Sequence, residues 1–150
     1  MIVPAGAISP HRLLIVTGHF GTGKTEFSVN LALALACERA SDEELEQIRR
    51  KAERVIEVAQ QGGDWSAADQ EFHLAISRAS HNEYMRRLYP IINNAVAEFM
   101  LLTAQNLEYI QHMAISDNES ILEFLLRRDA PGAREAMGIH MRHMLHALSD

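Results

Sequence analysis

The sequence predicts an all-α protein, an antiparallel helical bundle preceded by a short strand and a glycine-rich turn. Three observations predict it. From Leu31 onward, apolar residues recur every three to four positions, the repeat of a helix that buries one face. Helix-capping residues, Ser41, Asp64, Ser116 and Asp129, stand ahead of those stretches. Beyond Leu31 no run reads as a convincing strand. The chain has 150 residues, room for one domain with a proper core, and its short connections suit a compact bundle.

The first stretch differs from the rest. Leu13 to Thr17 reads as a buried strand, and GHFGTGKT, Gly18 to Thr25, matches the phosphate-binding pattern G-x4-G-K-[ST]. In such a loop the glycines bring backbone N–H groups to phosphates, Lys24 reaches the outer phosphates and Thr25 touches magnesium. The segment resembles the opening of a P-loop NTPase, with Gly18, Gly23, Lys24 and Thr25 as its nucleotide-binding residues. The rest of such an enzyme is not found. A P-loop strand belongs in a parallel sheet, and no partner strand and no apolar strand ending in a magnesium-binding aspartate follows. Phe124 to Asp129 comes nearest, but two arginines stand where apolar residues belong. Residues 1–31 are therefore expected to be a P-loop-like fragment that binds no nucleotide productively, and residues 32–150 a separate helical domain.

The helices follow in order. The first runs from about Thr25 to Arg39, and its half LALALAC is apolar nearly all round, which predicts burial. Cys37 lies in that run and reads as a small buried hydrophobe. Ser41 caps the second helix, with Glu44 completing a capping box, and Leu45, Ile48, Ala52, Val55, Ile56 and Ala59 form its apolar stripe. Gly62 and Gly63 end it, and Asp64 caps the third. His81 and Asn82 mark a break, and Pro90 is expected to kink or split the helix that starts near Glu83. Ile91 to about Gln111 reads as one long helix. In it Asn93 and Asn94 read either as exposed or bonded to a neighbouring helix, or as lining a polar pocket. Ser116 is expected to cap a helix running to Arg128. Asp129 caps the last, with Pro131 in its first turn. The inner face of that helix carries Ala133, Ala136, Met137, His140, Met141, Met144 and Leu145.

Composition narrows the function. The formal charge of −6 argues against this chain gripping nucleic acid through a basic surface. A single cysteine excludes an internal disulfide and fits a reducing cytoplasm. No apolar run approaches a membrane span, and the N-terminus lacks the pattern of a secretory signal. Seven methionines fit core filling between helices, or an adaptable pocket.

One spacing carries chemistry. Asp69 and His73 stand four residues apart and share one helical face, where a carboxylate and an imidazole can take neighbouring positions on one metal ion. A surface Asp–His pair, or a hydrogen-bonded core histidine, has the same spacing. His140 adds weight from the inner face of the last helix, where an unpaired imidazole is costly to bury. His143 reads as a surface residue or a substitute ligand, and His146 as a surface residue. His81 and His112 have no partner at convincing spacing.

The same stretch carries a family resemblance. Asp69, Phe72, His73, Ala79 and Asn82 form D-x-x-F-H followed by A-x-x-N, which resembles the FCD domain. That domain is the C-terminal effector domain of FadR-type regulators in the GntR family of bacterial transcription factors. Ala34–Arg50 and Ile121–Leu145 resemble its opening and closing helices, and the likeness covers roughly Leu31 to Leu148. The resemblance implies a cytoplasmic homodimer that senses a small organic acid, held by a divalent transition metal such as zinc or nickel. It implies metal ligands at Asp69, His73 and His140, and a fourth where this sequence has Asn118 in place of the family's histidine. Asn93 and Asn94 become candidates for effector binding. It also implies a winged helix-turn-helix and an arginine-bearing helix ahead of the domain, where this sequence has P-loop residues, so DNA binding is not expected of this chain alone. No nucleophile–base pair or oxyanion turn points to an enzyme. The other readings are a nucleotide-binding P-loop ATPase fragment and a helical interaction protein without a ligand.

Overall fold

A computed structural model describes residues 24–147, with side chains from residue 28 onward. The strand expected at 13–17 and the glycines Gly18 and Gly23 lie outside the described residues, as do the side chains of Lys24 and Thr25. The described chain is helical throughout: α1 (Lys24–Arg39), α2 (Asp42–Gln60), α3 (Trp65–Ala79), α4 (Glu83–Leu102), a 3-10 turn (Ala104–Asn106), α5 (Leu107–Leu126) and α6 (Ala130–Ala147). The expected all-α bundle is the observed one. Helix α1 runs without a break through the expected boundary at residues 31 and 32.

Helix α1 is the central rod, packed against α3, α4, α5 and α6. Its apolar circumference explains this: Leu33, Ala36, Cys37 and Ala40 are buried, so Cys37 is the small hydrophobe expected. Around it, α2 pairs with α3 and α5 with α6, and α2 also packs on α5. Phe72, Phe99, Leu33, Ile48, Ile121, Leu125 and Val55 are fully buried. Each contributes about 1.5–3 kcal/mol relative to exposure.

Local chemistry sets the ends. Ser41 Oγ accepts from the Glu44 N–H while the Glu44 carboxylate accepts from the Ser41 N–H, which completes the expected capping box. Asp64 caps α3 through the Ala67 N–H, and Asp129 caps α6 through the Gly132 N–H. Gly62 closes α2 with φ of 70°, a conformation that favours glycine. Arg128, also left-handed with φ of 55°, turns α5 into α6. Its guanidinium donates to the carbonyls of Cys37 and Ala40 and to Asp42, which ties the end of α1 to the α5–α6 turn.

Four expectations change or narrow. Of the two outcomes expected at Pro90, a kink or a split, the split does not occur: Pro90 sits on the exposed side of a continuous α4, where water can satisfy the carbonyl it leaves unpaired. The stretch Ile91–Gln111 is not one helix. Thr103 is the C-cap of α4, buried, with its hydroxyl donating back to the Phe99 carbonyl, and the chain re-forms a helix at Leu107. Ser116 caps nothing, because Ile110, Ala114, Asn118, Ile121 and Leu125 keep helical spacing across it and are all buried. On α6, Leu145 is 37% exposed rather than part of the inner face.

Candidate functional site

A cavity of about 90 Å³ lies between α1, α3, α4 and α6. Ser28, Val29, Ala32 and Leu33 line it from α1, and Asp69, Gln70, His73, Ile76 and Ser77 from α3. Met85, Tyr89, Ile92, Asn93 and Val96 line it from α4, and Met137, His140, Met141 and Met144 from α6. Most of this wall is apolar, with a carboxylate and two imidazoles on facing helices.

The spacing of Asp69 and His73 brings both side chains to the cavity from one face of α3, as the i, i+4 geometry requires. The nearest approach of their polar atoms, His73 Nε2 to Asp69 Oδ1, is 3.6 Å. That is too long for a hydrogen bond and close to the donor spacing of about 3.3 Å that two bonds of about 2.0–2.1 Å make in a tetrahedral metal site. His140 stacks on His73, with ring centroids 5.3 Å apart and planes 26° apart. Asn118 approaches from α5, its amide N–H donating to Asp69 Oδ1 at 2.5 Å. Asp69, His73, His140 and Asn118, far apart in sequence, thus stand in one cluster.

Two donors in this cluster are orphaned. His73 Nε2 and Asn118 Oδ1 are buried with no hydrogen-bond partner, an arrangement that costs about 1–3 kcal/mol per group. Burial holds the His73 pKa below its ordinary 6.5, outweighing the attraction of Asp69, with His140 adding to the lowering. The imidazole is therefore neutral, the form that binds metals. As the side chains stand, no three His, Cys, Asp or Glu residues among the described residues surround one point closely enough to hold an ion.

Asp117, adjacent to Asn118, was not expected to matter. Its carboxylate lies 3.2 Å from His140 Nδ1 and 2.9 Å from His143 Nδ1, and it is buried. Burial alone raises its pKa, but the hydrogen bonds and charges of the two histidines outweigh that and hold the carboxyl below its ordinary value. An ionised Asp117 accepts from His140 at Nδ1, which leaves Nε2 as the ring nitrogen that Asp117 does not engage. The signal available in the sequence was the i, i+3 pair His140 and His143, which faces a neighbouring helix together. His143 is accordingly a partner of Asp117 rather than a surface residue.

The remaining candidates divide. Asn93 lines the cavity, and its buried Oδ1 has no partner, whereas Asn94 is exposed and forms no part of the wall. His81, expected to lack a partner, sets Nε2 3.0 Å from the Glu44 carboxylate at the surface. No described helix is long and apolar enough to cross a membrane.

Known proteins resemble this chain in sequence and in fold. The FCD domain family model matches residues 30–143. The Uxu operon regulator of Haemophilus influenzae is 28% identical over 121 residues, which is 75% of this chain and 45% of that protein. In structure, Streptococcus agalactiae GntR superposes with a TM-score of 0.71 at 16% identity, over 97% of this chain and 63% of that one. The chain thus spans less than half the length of the curated relative and under two thirds of the structural neighbour.

Proposed function

The chain belongs to the FCD domain family, and from that premise we propose that it is the effector-sensing part of a GntR-type transcription regulator. In this reading the cavity takes a small carboxylate, and a divalent transition metal, zinc or nickel, anchors it. The protein works as a cytoplasmic sensor rather than an enzyme, and DNA is contacted through a separate winged-helix domain. The observation that carries the reading is the orphaned, neutral His73 Nε2 beside Asp69 on the wall of the cavity. Metal coordination is one way to satisfy a nitrogen that no protein group reaches.

The donor set fits such an ion. Asp69, His73 and His140 would hold it, with the free carbonyl oxygen of Asn118 as a weaker fourth ligand. When bound, the ion supplies a positive charge that attracts an anionic ligand. The protein's part is to keep His73 neutral, to present the lone pair of His140 through Asp117, and to wall the ligand from water. Closing around the ion requires the two stacked rings and Asp69 to draw together.

The competing arrangement is a metal-free polar core, favoured by the Asn118–Asp69 hydrogen bond. Melting curves separate the two. Zinc or nickel should raise the melting temperature, chelator should reverse it, and His73→Ala should abolish the response. An unchanged metal content in His73→Ala would decide for the polar core.

Homodimerisation belongs to the same reading. Tyr84, Ile91 and Leu101 on α4 are large apolar residues at the surface. Sedimentation equilibrium should give twice the chain mass, and a monomer at micromolar concentration would count against it.

A further inference from the structure

The cavity wall carries information about the ligand beyond its acid group. Four of its residues, Met85, Met137, Met141 and Met144, present flexible thioether chains, and Val96 extends the apolar surface. Hydrogen-bonding capacity is scarce by contrast. The Ser77 hydroxyl donates to the Met85 carbonyl and the Tyr89 hydroxyl to the Gln70 carbonyl. Asn93 Oδ1 and His73 Nε2 are buried without a partner, and Ser28 and Gln70 also line the wall, but most of its surface is apolar. No lysine or arginine stands among the described wall residues.

From this wall we infer that the ligand is a short monocarboxylate whose hydrocarbon chain lies against the methionines, and not a polyhydroxylated acid. The inference rests on the proposed carboxylate anchor and deepens it. Each hydroxyl of a polyol acid brings a donor and acceptor that must leave water, and an unmatched group weakens binding. Each methylene placed against this wall tightens it about fourfold instead. Charge points the same way. One divalent ion already faces the Asp69 carboxylate, with ionised Asp117 behind His140, and a second ligand carboxylate would meet no cationic side chain among the described wall residues. Size agrees as well: at about 10–15 Å³ per water position, the cavity of about 90 Å³ accommodates some six to nine. That is the scale of an acid of four to six carbons.

Isothermal titration of the zinc-loaded chain with pentanoate, glycerate and pentan-1-ol tests this. Glycerate matches pentanoate in heavy-atom count, and its 2-hydroxyl can also chelate the metal, so the comparison is biased against the proposal. The expected result is pentanoate binding about tenfold or more tighter than glycerate, with pentanol weaker than pentanoate. Glycerate binding as tightly as pentanoate would overturn the inference and leave the carboxylate anchor standing. Pentanol matching pentanoate, or no acid binding at all, would overturn the anchor and the inference with it.

Discussion

Helices α6 and α4 both wall the cavity, yet they are held very differently. Helix α6 buries Gly132, Ala133, Ala136, Met137, His140, Met141 and Ala147, and it packs along α5 and α1. Helix α4 is longer but buries only Met85, Ala95 and Phe99, carries Pro90 in its middle, and leaves Tyr84 and Leu101 each 62% exposed. The groups proposed to take the metal sit on α3, α5 and α6, where packing fixes the backbone that carries them. The α4 wall brings mostly apolar contacts and one amide, Asn93. In the function proposed above such a division has a use: groups on firmly packed helices would recognise the charged end of a ligand, while a weakly held wall can move to fit the remainder.

The largest expected effect tests this contrast directly. Phe72→Ala should cost about 3–5 kcal/mol in urea denaturation, because the ring is fully buried. Leu101→Ala on α4 should change the stability of the dissociated single chain by less than about 0.5 kcal/mol. Comparable losses there would mean that α4 is as firmly packed as the core.

Within the fixed half, Asp117→Asn should lower zinc affinity by about 10–100-fold in a competition assay, by releasing the orientation and tautomer of His140. An unchanged affinity would show that Asp117 serves packing alone.

Two glycines on α6 sharpen the contrast further. A Cβ at Gly132 would meet the Phe124 ring, with Cε1 at 2.7 Å, whereas a Cβ at Gly138 would meet only Arg142 Nη2 at 3.9 Å. Gly132→Ala should therefore cost about 1–3 kcal/mol. Gly138→Ala should gain about 1 kcal/mol from helix propensity. Thermal melts of the two variants should move in opposite directions.

The smallest effect is in pH. His73 has a folded pKa below its ordinary 6.5, so under metal-free conditions the unfolded chain binds the proton first as pH falls. The contribution of this group to stability is complete above about 6.5 and declines below it, by at most about 1.4 kcal/mol per pH unit until the folded pKa is reached. His73→Gln should remove that part of the acid sensitivity, read as a flatter dependence of melting temperature on pH between 6.5 and 5.

The structure was most legible where causes are local. The caps at Ser41, Asp64 and Asp129 need only neighbours within three residues, and the pairing of Asp69 with His73 needs only one helical turn. The α4–α5 boundary was not legible, because apolar spacing continues from Phe99 through Thr103 to Ile110. The break depends on a buried threonine bonding back to its own helix. Asp117 was hidden for a related reason: one residue from Asn118, it faces a different neighbour, and which face of α5 meets α6 is a property of the assembled bundle. Asn93 and Asn94 could not be separated until the rotation of α4 was known.

Helix α1 has a mechanical consequence. Near its start Ser28 and Val29 touch the cavity, and at its far end the Cys37 and Ala40 carbonyls are gripped by Arg128. A rod pinned most firmly at one end and pushed near the other would act as a lever if its packing along α3, α4 and α6 let it tilt. Lys24 lies about 7–8 Å further along the axis than Val29, at 1.5 Å per residue. Displacement of the wall by a ligand would swing that end through a larger arc than the ligand itself imposes, and whatever is joined ahead of Lys24 would inherit the motion.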